Sequence, residues 1–466
     1  MFDRLKSLFR AQAYEGASTG GRSKTWAASN VGPNSALNYS LSTLRARSRQ
    51  AYRNNPWIER AISRNVSNEI GAGIKPIFES SDSVFNDQMS TLWDDWTKRA
   101  TPDGVLDFHG ILSQASRTRR LAGEVFIRVR YRRGGKIPMQ LQVLEPDHVP
   151  ETLNETRPNG NTVVAGVEFN RVGQRVAYWM YPNHPNDNTP TATFNSCVRV
   201  PAADVIHHYA QTRPGQVRGE PDIVQALLRA QTYDKYENNE LVRKETKSIF
   251  TGFLKKDYSS EEDWQFDPIT GEAVNDDAGL PDVTLEPGVI NVGAMGESLD
   301  LHGGDDTGAG YADFQKQQQH AIAAGCKSLY QLTTGDWSGV NDRIYRAMIQ
   351  EYRRELEAIQ DHLVIHQICE KVGLWFTEAA ILNGVVTATG YALNKDDFNR
   401  RDWRTHRWPH IHPTQDVNAT ILEIENDLES HDAAVAKRGY RAGSVQESNV
   451  KSRKRKQDLE ADNGVV

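Results

Sequence analysis

Gly123-Glu124-Val125-Phe126-Ile127-Arg128-Val129-Arg130-Tyr131 is the stretch at which the chain changes period. Val125, Ile127, Val129 and Tyr131 alternate with Glu124, Phe126, Arg128 and Arg130, the two-residue repeat of a strand. Gly134-Gly135 supplies a turn, and Met139, Leu141 and Val143 alternate with Gln140 and Gln142 on a return strand. A second hairpin is expected to join Val163–Phe169 to Arg175–Tyr181 across Val172-Gly173, and Val198–Val200 and Val205–Tyr209 read as two more short strands. Residues 120–210 are therefore a β-rich unit.

On either side the period is helical. Upstream, Tyr52, Trp57, Ile58, Ala61, Ile62, Val66 and Ile70 predict a helix from Arg47 to Ile70, with Pro56 suited to a first turn and Gly71-Ala72-Gly73 as the stop. Further helices are expected around Phe85–Trp96 and Ile111–Leu121. Residues 11 to about 45, rich in Gly, Ser, Ala and Asn, read as a flexible arm. Downstream, Pro221–Phe250 and Ala312–Ala324 read as helices that flank an acidic, Gly/Pro-rich insertion at 255–310 with two or three short strands. From Val340 to Glu370, Ile344, Tyr345, Met348, Ile349, Tyr352, Leu356, Ile359 and Leu363 form one face, opposite Arg343, Arg346, Gln350, Arg353, Arg354, Glu357 and Asp361. At 1.5 Å per residue that is a rod of about 45 Å. A helix over Asp416–Leu428 and a tail carrying a basic run complete an α+β, mostly helical chain.

At 466 residues the chain has room for about three domains. Its 55 basic and 61 acidic residues give a net charge of -6, which argues against a dedicated nucleic-acid binder but not against a surface that DNA slides past. Cys197, Cys326 and Cys369 are odd in number and widely separated, so neither a disulfide framework nor a zinc ribbon is expected, and a reducing compartment fits. No apolar run approaches a membrane span, and Met1–Arg10 is amphipathic without a signal peptide's apolar region. The expectation is a soluble chain that is not exported.

Catalytic motifs are nearly absent. Gly134-Gly135-Lys136 is followed by Ile137, not the Ser or Thr of a phosphate-binding loop. His362 and His366 have zincin spacing, but Leu363 stands where the general-base Glu belongs. His207 and His208 are strand neighbours that point to opposite faces, so one ion does not readily take both. Gly303–Gly310 matches a calcium loop only loosely and reads as a connector. The group His406, His410 and His412 is the best metal candidate; it supports the competing reading of an intracellular metal-dependent hydrolase, although packing among Trp403, Trp408, Pro409 and Pro413 accounts for it better. A scaffold coiled coil on the 341–370 helix is disfavoured by the lack of a clean heptad. No cofactor and no metal are expected, and the chain is read as a non-enzyme. Lys451, Arg453, Lys454, Arg455 and Lys456 form a basic tail that is a candidate DNA contact.

Four stretches together resemble the lambda-type phage portal family. They are Arg53-Asn54-Asn55-Pro56-Trp57 leading to Ile70-Gly71-Ala72-Gly73-Ile74-Lys75-Pro76; Gly123-Glu124-Val125-Phe126 with Leu144-Glu145-Pro146-Asp147; Arg218-Gly219-Glu220-Pro221; and Leu332-Thr333-Thr334-Gly335-Asp336-Trp337-Ser338-Gly339-Val340-Asn341 before Arg346-Ala347. Asp342-Arg343-Ile344-Tyr345 departs from the family's small residues at that point. The resemblance implies a portal-type fold: residues 1–45 a flexible N-terminal arm, 46–215 a wing of helices and β-rich unit, 216–250 a stem helix, 251–310 a clip-like insertion, 311–326 a second stem helix, 327–341 a tunnel loop, 342–400 the long helix and wing core, and 401–466 a helical crown with the basic tail. It also implies a homo-oligomeric ring, typically of twelve subunits, at a capsid vertex of the virion, assembled in the host cytoplasm. Double-stranded DNA would pass through it, and the terminase large subunit, major capsid and scaffolding proteins and head-tail connector proteins would be its partners. The residues implied to face DNA are Lys327, Thr333, Thr334, Gly335, Asp336, Trp337, Ser338, Asn341 and Arg343, with Gly335 and Gly339 loosening a flexible hoop.

Overall fold

The computed structural model describes residues 24–462 except 26, 133–134, 188–195, 250–252, 257–296, 301–309, 407, 409–412, 439 and 441. Ahead of the β-rich unit lie α1 (Pro33–Asn38), α2 (Leu41–Asn54), α3 (Pro56–Ile70), strand β1 (Lys75–Phe78), α4 (Ser83–Thr97) and α5 (Phe108–Ala122). The helix expected over Arg47–Ile70 is two helices. Asn55 is extended, φ −107° and ψ 114°, because Pro56 disfavours helical geometry in the residue before it, and its side chain accepts from the Ile58 N–H at 2.9 Å. The arm expected over 1–45 is corrected in its last part. Residues 33–45 are largely helical, with Leu37, Leu41 and Arg45 buried. Leu37, Leu41 and Leu44 do stand at helical spacing, but the stripe is short and lies in a segment whose Gly/Ser/Ala/Asn composition reads as an arm.

The β-rich unit holds β2 (Glu124–Tyr131), β3 (Met139–Leu144), β4 (Glu155–Thr156), β5 (Thr162–Val164), β6 (Val167–Phe169), β7 (Arg175–Met180), β8 (Val198–Pro201) and β9 (Val205–Tyr209). They form two antiparallel sheets, β3-β2-β9 and β4-β5-β6-β7-β8. The single strand expected over Val163–Phe169 is broken at Ala165-Gly166, where φ values of 49° and 80° make a tight hairpin turn. Strand β2 is covered on both faces. Val125, Ile127 and Val129 enter the main core, while Phe126 packs with Tyr178 and Val205 in a separate cluster.

Beyond the sheets come α6 (Val224–Ile249), the paired strands β10 (Phe253–Lys256) and β11 (Glu297–Asp300), α7 (Tyr311–Gly325), α8 (Tyr330–Thr334), α9 (Asp342–Ile359), α10 (Glu370–Leu382), α11 (Lys395–Phe398), β12 (Arg401–Arg404), α12 (Pro413–Glu425), α13 (His431–Lys437) and α14 (Ala442–Asp462). A π-helical stretch, Gln360–Cys369, joins α9 to α10, so the rod read as 340–370 runs on to Leu382. It contains His362 and His366. Apart from β10 and β11, the insertion expected at 255–310 and the Gly303–Gly310 connector lie almost wholly outside the described residues, as does the Met1–Arg10 segment.

Two cores matter for position. The main one centres on Trp93, whose ring lies 4.9–5.6 Å from Trp96, Phe108, Phe376 and Trp403. Such aromatic pairs contribute about 0.5–1.5 kcal/mol each beyond their area. Strand β12 closes this core by pairing with β1, Trp403 opposite Pro76. The other core packs α3 against α6 and α7 through Ile58, Ala61, Ile62, Val66, Ala226, Ala230, Tyr233 and Ile322. No helix among the described residues is long and apolar enough to cross a membrane.

Candidate functional site at the base of the long helix pair

Helices α6 and α7 cross closely at their hub end. A Cβ on Gly325 would stand 3.0 Å from the Ala226 Cβ, so the approach is tight and a larger residue would push the helices apart by a few tenths of an ångström. Farther out, Tyr236 meets Phe314 edge-on at 5.2 Å, and Arg229 donates to Gln318 at 2.9 Å. Both ends of the pair at the hub are held by charge. Asp222, two residues before α6, accepts from Arg119 at 3.0 Å and from Lys327, two residues after α7, at 2.9 Å. The flanking guanidiniums offset its burial and hold its carboxyl down at about 2. Arg119 and Arg120 of α5 also reach Glu69, fully buried at the end of α3, with Arg120 at 2.5 and 3.0 Å. Asn65 donates to the Cys326 and Lys327 carbonyls at 3.1 and 3.2 Å and accepts from the Tyr352 hydroxyl at 2.8 Å. Gln360 donates to the Glu69 carbonyl at 2.6 Å. Four helices are thus tied to one polar cluster.

A second buried charge centre lies beside it. Glu124, first residue of β2 and fully buried, accepts from Arg45 at 2.5 Å, Arg218 at 2.6 Å, the Gly219 N–H at 2.9 Å, and pairs with His207 at 2.7 Å. Arg218 donates in addition to the carbonyls of Pro146, Val149 and Ala165. The segment Arg218–Asp222 is therefore bolted to the β-rich unit at one end and to α5 at the other, which fixes where α6 starts. Sequence reading passed over Glu69, Arg45, Arg119, Arg120 and Asp222. Nothing local marks them: Glu69 stands between Asn68 and Ile70, and Arg119 and Arg120 end a polar run that begins at Ser116.

His207 stacks on Phe126 and Tyr209 at 4.4 Å, while His208 faces the opposite side and meets Gln367 at 2.9 Å. The two imidazoles share no ligand. Burial pushes His207 down to about 4 against the pull of Glu124, and pushes His208 down to about 3, helped by Arg119. An unfolded histidine takes a proton near pH 6.5 whereas these stay neutral, so stability is full above that pH and falls as pH drops from about 6.5 toward 4. Melting should therefore shift down by several degrees between pH 7 and pH 5. Substituting His208 by Gln should shrink that shift, and an unchanged shift in H208Q would remove His208 from the account.

The residues expected to form a DNA-facing loop are largely a folded turn. Tyr330 and Thr333 are buried, Thr333 Oγ1 donates to the Leu329 carbonyl, and Thr334 Oγ1 to that of Tyr330. Gly335 ends α8 with φ 79°, beside the Arg60 guanidinium, which donates to the Leu332 carbonyl at 3.1 Å. Asp336 accepts from the Ser338 N–H at 2.9 Å and from Tyr330 at 3.0 Å, and these hydrogen bonds hold its carboxyl at about 2. Within the hoop expected at 332–341, capping and Asx hydrogen bonds, with the Arg60 guanidinium, tie down Leu332–Ser338. Lys327 is engaged with Asp222 and adopts φ 52°. Trp337 is 43% exposed and meets Tyr345 edge-on; Asn341 caps α9 through the Ile344 N–H; Arg343 is exposed. Lys451, Arg453, Lys454, Arg455 and Lys456 are exposed on α14, so the basic tail is a helix. His406 packs beside Gly71 and 4.7 Å from Trp408, while His410 and His412 lie outside the described residues.

Residues 19–360 match the family described as phage portal protein, lambda family. The chain is 25% identical over 406 residues to the probable portal protein of Halomonas phage phiHAP-1, covering 85% of this chain and 77% of that one. It is 21% identical to the portal protein of Escherichia phage N15, covering 91% and 86%, and 20% identical to portal protein B of Escherichia phage lambda, covering 94% and 88%. Among solved structures, a chain in the neck of a native gene transfer agent particle computed with C12 symmetry is similar at a TM-score of 0.49 and 12% identity, covering 86% of this chain and 92% of that one. With nearly three quarters of its length matched, and with Arg218-Gly219-Glu220-Pro221 and Leu332–Asn341 placed at the base of the helix pair, the chain belongs to the lambda family of phage portal proteins.

Proposed function

We propose that the chain forms a homo-oligomeric ring, typically of twelve subunits, at one vertex of the phage capsid. Double-stranded DNA passes through this ring during packaging and ejection. In this reading residues 46–215 make the wing, α6 and α7 the stem, 251–310 the clip, 327–341 the tunnel turn and 401–466 the crown. The role is structural, within the virion. The terminase large subunit and later the head-tail connector proteins dock on the clip, and the major capsid and scaffolding proteins surround the wing. The ring assembles in the host cytoplasm.

The observation that carries the ring is the helix pair itself. At 26 residues and 1.5 Å each, α6 is about 39 Å long, yet beyond Tyr233 it buries only Glu240 among the described side chains. Leu228, Leu241 and Val242 on α6 and Phe314 on α7 are 75%, 65%, 58% and 44% exposed. Apolar residues on a long two-helix projection need a neighbour, and copies of the same pair arranged around an axis supply one. Lys327 is committed to Asp222, which leaves Arg343, Trp337 and the α14 cations as the groups facing DNA.

Negative-stain electron microscopy with native mass tests this. The expected result is a ring of about twelve subunits with a channel wide enough for duplex DNA. A monomer or dimer at micromolar concentration overturns the reading.

A further inference from the structure

A cleft of about 390 Å³ lies between the C-terminal turn of α4 and the β2–β3 hairpin, away from the helix pair. Its floor is apolar: Leu92, Trp96 and Ile137 contribute buried side chains, and Pro138 lies beside them. Its rim is cationic, with Arg99, Arg132 and Lys136 exposed and Asp95 the single acid. Lys136 stands 3.6 Å from Asp95, whereas Arg99 and Arg132 have no ion-pair partner among the described residues. The surrounding sequence sharpens this charge. Arg128 to Lys136 holds five cations and no acid in a chain whose net charge is -6. Burial, and after it the neighbouring Arg128 and Arg132, lowers the Arg130 guanidinium below its usual range.

The cleft is preformed. Trp96 Nε1 donates to the Met139 carbonyl at 2.7 Å, the Leu141 N–H to the Ala100 carbonyl at 2.7 Å, and Asn383 Nδ2 to the Lys136 carbonyl at 2.8 Å. Helix α4 and the start of α10's following turn therefore hold the hairpin from two sides. A concave apolar floor within a rim of three cations and one acid selects a ligand with the opposite pattern. Duplex DNA offers phosphates but no apolar side chain to fill the floor, so the shape favours a peptide.

We propose that this cleft is a docking site for an acidic segment of a partner protein that inserts one or two apolar side chains between Asp or Glu residues. The apolar groups rest on Trp96 and Ile137, and the carboxylates meet Arg99 and Arg132. This site is additional to the DNA conduit and does not depend on ring formation.

The test uses the full chain in its native assembly state and a fluorescein-labelled peptide, Gly-Asp-Glu-Leu-Phe-Glu-Asp-Gly, followed by anisotropy. Binding is expected to weaken about tenfold in the Arg99→Glu/Arg132→Glu variant. It should weaken as much when Leu-Phe in the peptide becomes Ala-Ala, and should fall with added salt. Both substitutions are at exposed positions, and circular dichroism with an unchanged melt verifies folding. Absence of binding, equal binding by the variant, or a 20-base-pair DNA duplex that competes as well as unlabelled peptide would overturn the proposal. The last outcome would make the patch a nucleic-acid surface.

Discussion

Replacing Glu124 by Gln lowers the stability of the subunit by about 3–5 kcal/mol, the cost of breaking a buried ionic centre from one side. The substitution keeps the side chain's size, so packing is unchanged and the loss is electrostatic. Arg45 and Arg218 are 2% exposed each and would be left with no anion at 2.5–2.6 Å. Burial already drags the Arg45 guanidinium down to about 10 even with Glu124 present. His207 would lose the acceptor on its Nε2, and the Gly219 N–H its partner. Thermal melts at matched protein concentration should show a drop of many degrees or insoluble expression, since oligomer stability depends on concentration. Because both arginines depend on the same carboxylate, E124Q combined with R218Q should cost less than the two single changes added together. A melt within two degrees of the parent would show that water or another group satisfies the arginines.

Much of this fold was legible as period. The change to a two-residue repeat at Glu124 marked the central strand, and the repeat of apolar residues from Ile344 to Leu363 marked the rod. Helices expected at 85–96, 111–121 and 312–324 lie within α4, α5 and α7. What periodicity missed has specific physical reasons. Asn55 and Pro56 divide one apolar stripe between two helices, because helical spacing continues across a single extended residue. Residues 33–45 are held by Leu37 and Leu41, a stripe too short to stand out, and by the Arg45–Glu124 ion pair, which no hydropathy pattern reports. Ala165-Gly166 turns between two valine-bearing strands, and the only local sign of it is that neither Ala nor Gly favours a strand.

The candidate site was legible chiefly by resemblance. Leu332–Asn341 and Arg218–Pro221 both lie at the base of the helix pair, but as strings they gave no geometry. Their meaning lies in long-range pairs: Arg60 to Leu332, Asn65 to Lys327, Lys327 to Asp222, Arg218 to Glu124. Each partner is more than 90 residues away in sequence. A loop of Gly and Thr reads as flexible when its clamp is an arginine on a distant helix.

Gly219→Ala should cost about 3 kcal/mol, at the upper end for an overpacked site, and should impair rings where the subunit still folds. A Cβ at 219 would fall 2.1 Å from the Gly123 carbonyl oxygen and 2.9 Å from the Tyr209 Cβ. The obstruction is backbone, so no rotamer change relieves it. Gly123 is fixed in turn: it ends α5 at φ 88°, and a Cβ there would fall 2.4 Å from the Gly219 carbonyl oxygen. The two glycines let the start of β2 and the entry to α6 touch, which is how Glu124 reaches the Gly219 N–H and how Asp222 arrives at Arg119. Pushing this contact apart tilts α6 at its base, and over a helix of about 39 Å a small tilt becomes a displacement of several ångströms at the far end. In the proposed ring, subunits related by an axis would all share that tilt, so ring closure is more sensitive to it than folding is. The measurement is a melt together with native mass for G219A, with Gly32→Ala, where no atom lies within 4 Å, as the neutral control. Rings and melting equal to the parent in G219A would mean that the Gly123–Gly219 contact does not set the direction of α6. Folded subunits that fail to close would place the geometry of assembly in this one backbone crossing.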